Sequence, residues 1–328
     1  MLLEDIGEHK LLKIINKYCD RTKNGDDAAV MSIDRQKQLI VTTDVLVENN
    51  HFSKLTTPPK SIGYRAITAN LSDIAAMGGM PIGVTVGLSL RDDVEVSWLE
   101  EIYQGMVECL QPYGVGIIGG DTTKSQTNTI AITALGEVAP EQIIYRHQAQ
   151  VGDAIVITGK HGLSKAGLEI LLNGEKYRDI DETTKAKLIY YHQYPQPRLD
   201  IIKKLWALPT QFSIAGMDSS DGLADAILQI CQQSNVGAKL DLTKIIIANQ
   251  IKTIVDRKTA LDWVFYGGED FELVLCLPLS MASKLKVQSS ADIQIIGEII
   301  PEKNVYVIDT DNQNQKFFLS QKETFQHF

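Results

Sequence analysis

Apolar and polar positions follow two rhythms along this chain, and the changes of rhythm mark its elements. Residues 1–18 put Leu11, Leu12, Ile15 and Tyr18 on one side, the spacing of an amphipathic helix. Residues 38–47, QLIVTTDVLV, are β-branched and apolar around Thr42, Thr43 and Asp44 and read as a strand. Residues 61–79 read as a helix stopped by glycine, and 83–90 alternate like a strand. Helix 97–110 carries the stripe Trp98, Ile102, Met106 and Leu110, with Ser97 and Glu100 spaced as a capping box. GVGIIGG and TIAITALGEV add two short strands.

The second half starts near residue 148 with a turn and a strand, then helices at about 164–173, 182–191 and 197–206. FSIAGMDSSDGLADAILQICQQS reads as a strand that runs into a helix at Asp218–Asp221. GAKLDL, LDWVFYG, FELVLCLP, IQIIGEI, NVYVID and KFFL are further strand candidates. Strands and helices alternate without a regular βαβ repeat. The expected fold is therefore α/β and α+β, with mixed sheets in two domains, 1–147 and 148–328.

At 328 residues, 44% hydrophobic and 22% charged, the chain has room for two such cores. Cys19, Cys109, Cys231 and Cys276 show no CxxC spacing, which argues against a zinc knuckle or a disulfide framework and for a reducing, cytoplasmic setting. The opening MLLEDIGEHK has acid where a signal peptide has base. No apolar run approaches the ~20 residues of a membrane span. The net charge of −9, without the basic stripe that a duplex-DNA binder usually shows, argues against a nucleic-acid partner. It also means that an anionic ligand would have to arrive with cations.

Six segments supply candidate chemistry: GDDAAV (25–30), TTDVL (42–46), NLSDIAAMGG (70–79), IGGDTT (118–123), DSSDGL (218–223) and GGEDFEL (267–273). Each sets a carboxylate among Gly, Ser, Thr or Ala at the edge of an apolar element, where a buried charge is costly without a counterion. Few basic residues stand nearby. A hard divalent cation resolves this, because Mg²⁺ takes oxygen ligands and is shared between carboxylates and phosphates. Asp26 and Asp27 are expected in such a magnesium–polyphosphate cluster, along with Thr42, Thr43 and Asp44. Taken alone, DSSDGL could equally be a helix cap and GGED a loop.

Other motifs point nowhere. Gly114-x-Gly116-x-x-Gly119 follows a helix and enters a strand, the reverse of a dinucleotide fingerprint. No P-loop or GxSxG occurs, and Cys109 lies in an apolar stripe, which argues against nucleophilic hydrolysis. TGKHGLSKAG (158–167) looks hospitable to phosphate but reads as a plain strand–turn–helix. His161 and His192 read as structural or surface residues.

In this order and at these separations the six segments, with NNHF at 49–52, resemble thiamine-monophosphate kinases, members of the aminoimidazole-ribonucleotide-synthetase-like superfamily. The resemblance implies transfer of the γ-phosphoryl of ATP to thiamine monophosphate, an N-terminal domain that pairs with its twin in a homodimer, and a C-terminal α+β domain. It implies magnesium ligands at Asp27, Thr42, Thr43, Asp44, Asp73, Asp121, Asp218 and Asp221, with several Mg²⁺ ions and room for K⁺. Nucleotide contacts would fall on Tyr103, Gly120, Asp121, Arg146 and Ser220, and thiamine monophosphate contacts on His51, Glu269 and Phe325. The family gives Asp26 no metal role.

Here Lys23-Asn24-Gly25 replaces the family's usual glycine-aliphatic-glycine lead into the double Asp. The acceptor that the resemblance implies would be a phosphate monoester with a second pKa of about 6, so it would need no general base. Rival readings are a sister enzyme (aminoimidazole ribonucleotide synthetase or selenide water dikinase) and a non-catalytic nucleotide-binding maturation protein. A calcium-binding protein is disfavoured because no EF-hand loop is present.

Overall fold

A computed structural model describes the chain except residues 21, 24–27, 210–211, 290–291, 314 and 325–328, and except the side chains of 8, 9 and 323. The chain divides into two compact units, one of 1–74 with 79–140 and one of 75–78 with 141–328.

The first unit contains α1 (Glu8–Ile15), β1 (Gln38–Val47), α2 (Pro59–Ala76), β2 (Met80–Leu90), α3 (Val96–Leu110), β3 (Ile117–Lys124) and β4 (Thr129–Val138). The strands form one sheet in the order β1-β4-β2-β3, with only β2 and β3 parallel. The alternation legible in the sequence is the alternation of faces. Val84, Val86, Leu88 and Leu90 of β2 and Ile130, Ile132 and Ala134 of β4 are buried on one face. Ile67, Leu71 and Ile74 of α2 and Leu99, Ile102 and Met106 of α3 are fully buried too, each side chain contributing roughly 1.5–3 kcal/mol.

Helices α2 and α3 cross almost backbone to backbone. A Cβ on Gly63 would lie 1.9 Å from the Ile102 carbonyl oxygen, and one on Gly105 would lie 1.8 Å from that of Lys60. The expected capping box of α3 does not form. The N-cap is Glu95, and Ser97 Oγ donates to the Glu95 carboxylate instead, because Val96 and Leu99 are buried and set the helix start. Only Leu11 and Ile15 of the N-terminal stripe are buried, whereas Leu12 is exposed.

The second unit contains β5 (Ala154–Thr158), α4 (Leu163–Leu172), α5 (Glu182–Gln193), α6 (Leu199–Trp206), β6 (Ala215–Asp218), α7 (Leu223–Ser234), β7 (Gly237–Asp241), α8 (Asn249–Lys252) and α9 (Arg257–Tyr266). It ends with β8 (Leu273–Leu277), α10 (Leu279–Ser289), β9 (Ile293–Ile300), β10 (Val305–Asp309) and β11 (Gln315–Phe318). Its seven-stranded mixed sheet runs β11-β10-β7-β9-β5-β8-β6. Val264 and Phe265 of α9 join Ile227 and Ile230 of α7 in the core of this unit.

LDWVFYG, expected as a strand, is therefore the end of a helix. Asp256 caps it, its side chain accepting the Thr259 N–H at 2.8 Å, and Ala260, Trp263 and Val264 are buried at helical spacing. Residues 75–78 belong to this unit because Trp206 Nε1 donates to the Gly78 carbonyl at 2.7 Å and Ile144 N–H to that of Met77 at 3.2 Å. Gly78 has φ +79, and a Cβ there would lie 2.4 Å from the Gln142 carbonyl oxygen, so glycine is required.

Candidate active site

In the first unit, strand alternation sorts the TTD run. Thr42 and Asp44 face α2, where Asn70 and Asp73 stand one turn apart. Thr42 Oγ1 donates to Asp73 Oδ2, and Asp44 N–H donates to Asn70 Oδ1 at 3.2 Å. Asn70 is fully buried and also donates through Nδ2 to the Ala66 carbonyl at 3.0 Å, so its acceptor points at β1. Two half-buried carboxylates, a hydroxyl and an amide thus share one patch. Thr43 points to the opposite face, where its hydroxyl meets that of Thr133 at 2.8 Å. Its side chain is therefore separated from the other members of its motif.

Asp121 does not join this patch within the chain. It lies on β3 in register with Gly87, Ala131 and Val45, on the sheet face away from α2. Strands β1 and β3 are the two edges of the sheet, about 14 Å apart at three strand spacings. Gly120 passes so close to β2 that a Cβ would lie 2.1 Å from the Val86 carbonyl oxygen. Tyr103 is only 2% exposed and stacks on Tyr18 with ring centroids 5.6 Å apart.

His51 sits in the turn after β1, its Nδ1 accepting the Val47 N–H at 3.1 Å. Glu48 anchors that turn by accepting from Arg91 Nη1 and Asn128 Nδ2, each at 3.0 Å. Asp26, Asp27 and Phe325 lie outside the described residues. The Cys109 thiol is pushed up to about 12 by burial, which keeps it protonated and inert.

In the second unit, β6 delivers Asp218 at its last residue, 2% exposed, with Ser220 Oγ donating to its Oδ1 at 3.3 Å. The GGEDFE segment braces this loop. Ser219 N–H donates to the Glu272 carbonyl at 2.8 Å, and Glu269 N–H donates to that of Ser220 at 2.6 Å. Glu269 and Phe271 have φ +67 and +52, strained values for residues with a Cβ. Asp270 between them is clamped at the start of α4, its carboxylate accepting the N–H groups of Gly162 at 2.6 Å and Ser164 at 2.8 Å.

That contact resolves the phosphate-friendly stretch 158–167. Its helix N-terminus is already filled by the protein's own carboxylate, which burial pushes up to about 7 against those two hydrogen bonds. His161 and His192 are both buried. Burial, followed by the nearby Arg198, holds His161 down to about 3 and hence neutral. His192 Nδ1 lies 3.1 Å from Ser164 Oγ and 3.8 Å from Glu269 Oε2.

Asp221 is exposed and lines a polar cavity of about 510 Å³ with Asp225, Gln229, Gln321 and Thr324. Arg146, exposed on a single turn before β5, donates through Nη1 to Gln229 Oε1 at 2.8 Å.

Among the described residues, no three His, Cys, Asp or Glu side chains stand close enough to cage a metal ion by themselves. The magnesium–polyphosphate cluster expected from the acidic motifs needs water and phosphate oxygens besides these side chains. The donors present are hard oxygens in pairs, which fits Mg²⁺ completed by water and substrate phosphate. Sequence reasoning missed Asn70, Asp225, Gln229 and Asp270. Asn70 carries a local signal in its i, i+3 spacing to Asp73 on α2, and Asp225 and Gln229 carry one in their i, i+4 spacing on α7.

Residues 25–138 match the family model of the AIR synthase related protein N-terminal domain, and 150–310 match that of the C-terminal domain. A thiamine-monophosphate kinase of Synechococcus elongatus is 46% identical over 99% of this chain and 98% of its own. The chain belongs to the thiamine-monophosphate kinase family. Solved structures of that family share its fold. One is the thiamine-monophosphate kinase from Stenotrophomonas maltophilia, with TM-score 0.79 at 28% identity over 91% of this chain and 94% of that one. Another is AaThiL complexed with AMPPCP and TMP, with TM-score 0.76 at 29% identity over 100% of this chain and 99% of that one. No described helix is long and apolar enough to cross a membrane.

Proposed function

We propose that this chain is a kinase that phosphorylates thiamine monophosphate with ATP, yielding thiamine diphosphate and ADP. The observation that carries the reading is full-length kinship with thiamine-monophosphate kinases, including a relative complexed with AMPPCP and TMP. An oxygen of the acceptor phosphate attacks the γ-phosphorus in line. The bond from that phosphorus to the β-bridging oxygen breaks, and ADP leaves with the electron pair. No described residue is needed as a base, because a phosphate monoester is already largely ionised at pH 7. The chain's task is to position two anions and offset their repulsion.

Magnesium, when bound, supplies the positive charge that lets those anions approach. Thr42, Asp44 and Asp73 in the first unit, and Asp218 and Asp221 in the second, would hold it, together with Asp27. Arg146 and Ser220 would contact the nucleotide, alongside Gly120 and Tyr103. His51, Glu269 and Phe325 would contact the acceptor. The strained backbone of Glu269 supports its assignment, because such strain collects at functional positions.

The chain acts as a homodimer in this reading. On the sheet face away from α2, edge strand β1 exposes Leu39, Val41 and Val45, at 45, 57 and 47%. Such an apolar stripe on a long edge strand supports pairing with a second copy. Asp121 lies on the same face and is out of reach of a metal held by Asp44 and Asp73 of its own chain. That placement beside the apolar stripe supports a metal and nucleotide role for Asp121 at a site to which the partner contributes.

The deciding assay measures ADP release with ATP and Mg²⁺, with and without thiamine monophosphate. Release that depends on the acceptor, with thiamine diphosphate as product, is expected. ADP release indifferent to the acceptor would reject the kinase reading.

A further inference from the structure

An exposed arginine that must grip phosphate loses much rotamer freedom when it does so, unless its fork is already aimed. Arg146 is held at both ends by α7. Ser234 Oγ donates to the Arg146 carbonyl at 2.9 Å and accepts the Ala149 N–H at 3.1 Å, which fixes the backbone turn. At the other end, Gln229 Oε1 accepts from Arg146 Nη1 at 2.8 Å. Gln229 Nε2 in turn donates to Asp225 Oδ2, one helical turn earlier. Asp225 is 8% exposed, and its carboxylate lies within electrostatic reach of the guanidinium.

The order of these three groups has a chemical consequence. The Gln229 amide is fixed in one orientation, since its oxygen must face the cation and its nitrogen the carboxylate. Flipping it would lose both hydrogen bonds at once. A carboxylate placed directly on Arg146 would form the bidentate pair that a phosphate needs to form. With the amide between them, the carboxylate stays off the fork. Among the described residues no hydrogen bond takes up the remaining guanidinium N–H groups, so they are left for a ligand.

We infer that Gln229, backed by Asp225, is a positioning residue that holds the Arg146 guanidinium aimed for the nucleotide phosphates. The inference rests on the reading of Arg146 as a nucleotide contact. It extends that reading to two residues whose only link to the reaction is through the arginine. Both also line the cavity that Asp221 lines, so the relay and the proposed metal ligand face one cavity.

The test is a double-mutant cycle read by ATP KM and by direct binding of a non-hydrolysable ATP analogue. Gln229→Ala is expected to raise the KM for ATP and the Kd of the analogue by at least about tenfold, the lower end of what losing one hydrogen bond to a charged group costs. The KM for thiamine monophosphate should not move, while the Tm should fall modestly because the buried Asp225 carboxylate loses its donor. In an Arg146→Ala background the same substitution is expected to change nothing further. Gln229→Glu keeps an acceptor for Arg146 but puts charge on it, and should weaken nucleotide binding as well.

The inference is overturned if Gln229→Ala leaves nucleotide affinity intact, or if its effect persists undiminished without Arg146. A different failure, Arg146→Ala with unchanged nucleotide affinity, would overturn the reading of Arg146 itself and the relay with it. Because Gln229 is half-buried on the surface of α7, these variants are expected to fold, and circular dichroism with Tm verifies it.

Discussion

Asp73→Asn is expected to lower kcat for thiamine monophosphate phosphorylation by about 10²- to 10³-fold. It should also move the Mg²⁺ dependence to higher concentration. The amide keeps the shape of the side chain and can still accept from Thr42, so the fold should persist. What disappears is one of two negative charges that share the patch between β1 and α2. Without metal those charges repel. The Tm of the variant in chelator should therefore equal or exceed that of the native chain, while the stabilisation by Mg²⁺ with nucleotide should shrink. Titrating Mg²⁺ at fixed ATP measures the first effect, and thermal unfolding with and without Mg²⁺ the second. Activity within twofold of native at limiting Mg²⁺ would show that Asp73 holds no metal.

The combined substitution Val41→Arg, Val45→Arg is expected to convert a dimer into a folded monomer with at least a hundredfold less activity, on the order of losing one transition-state contact group. Both positions are exposed in the chain and face away from its core, so the arginines cost the protomer little. In a paired state they would set four like charges against one another across an apolar face. The loss of activity follows from the strand order. In the proposed shared site, Asp121 stands at the far edge from Asp44, so a lone protomer would lack one member of the proposed ligand set. Sedimentation velocity gives the oligomeric state, and the coupled ADP assay gives the activity. A monomer that keeps native activity would contradict the shared site.

How far the sequence could be read depended on the distance over which its information acts. The alternation read in 83–90 survives from Val84 onward in β2, because the strand buries one face there, and it breaks at Gly83–Val84 where the pairing shifts register. The end of α9 was misread because Trp263, Val264 and Phe265 look β-prone together. The deciding signal lay upstream, in the Asp256 cap. Thr42, Asp44 and Asp73 were legible as oxygen donors, and the structure joins them. The separation of Asp121 was not legible, since motif order along a chain carries no strand order. What Asp270 and Gln229 bind was invisible for the same reason. Their partners stand 106 and 108 residues away for the first, and 83 for the Arg146 bond of the second. The phosphate-friendly look of 158–167 misled in the opposite direction, because nothing local shows that Asp270 fills that helix end.

The claim on which the account rests is that the paired oxygen donors of each unit hold divalent ions when nucleotide is bound. Crystals grown with Mn²⁺ in place of Mg²⁺, saturated with AMPPCP and thiamine monophosphate, test it by anomalous diffraction. The account predicts manganese peaks within coordination distance of Asp44 and Asp73, and of Asp218 or Asp221. Bound nucleotide with no anomalous peak beside any of these carboxylates would contradict it.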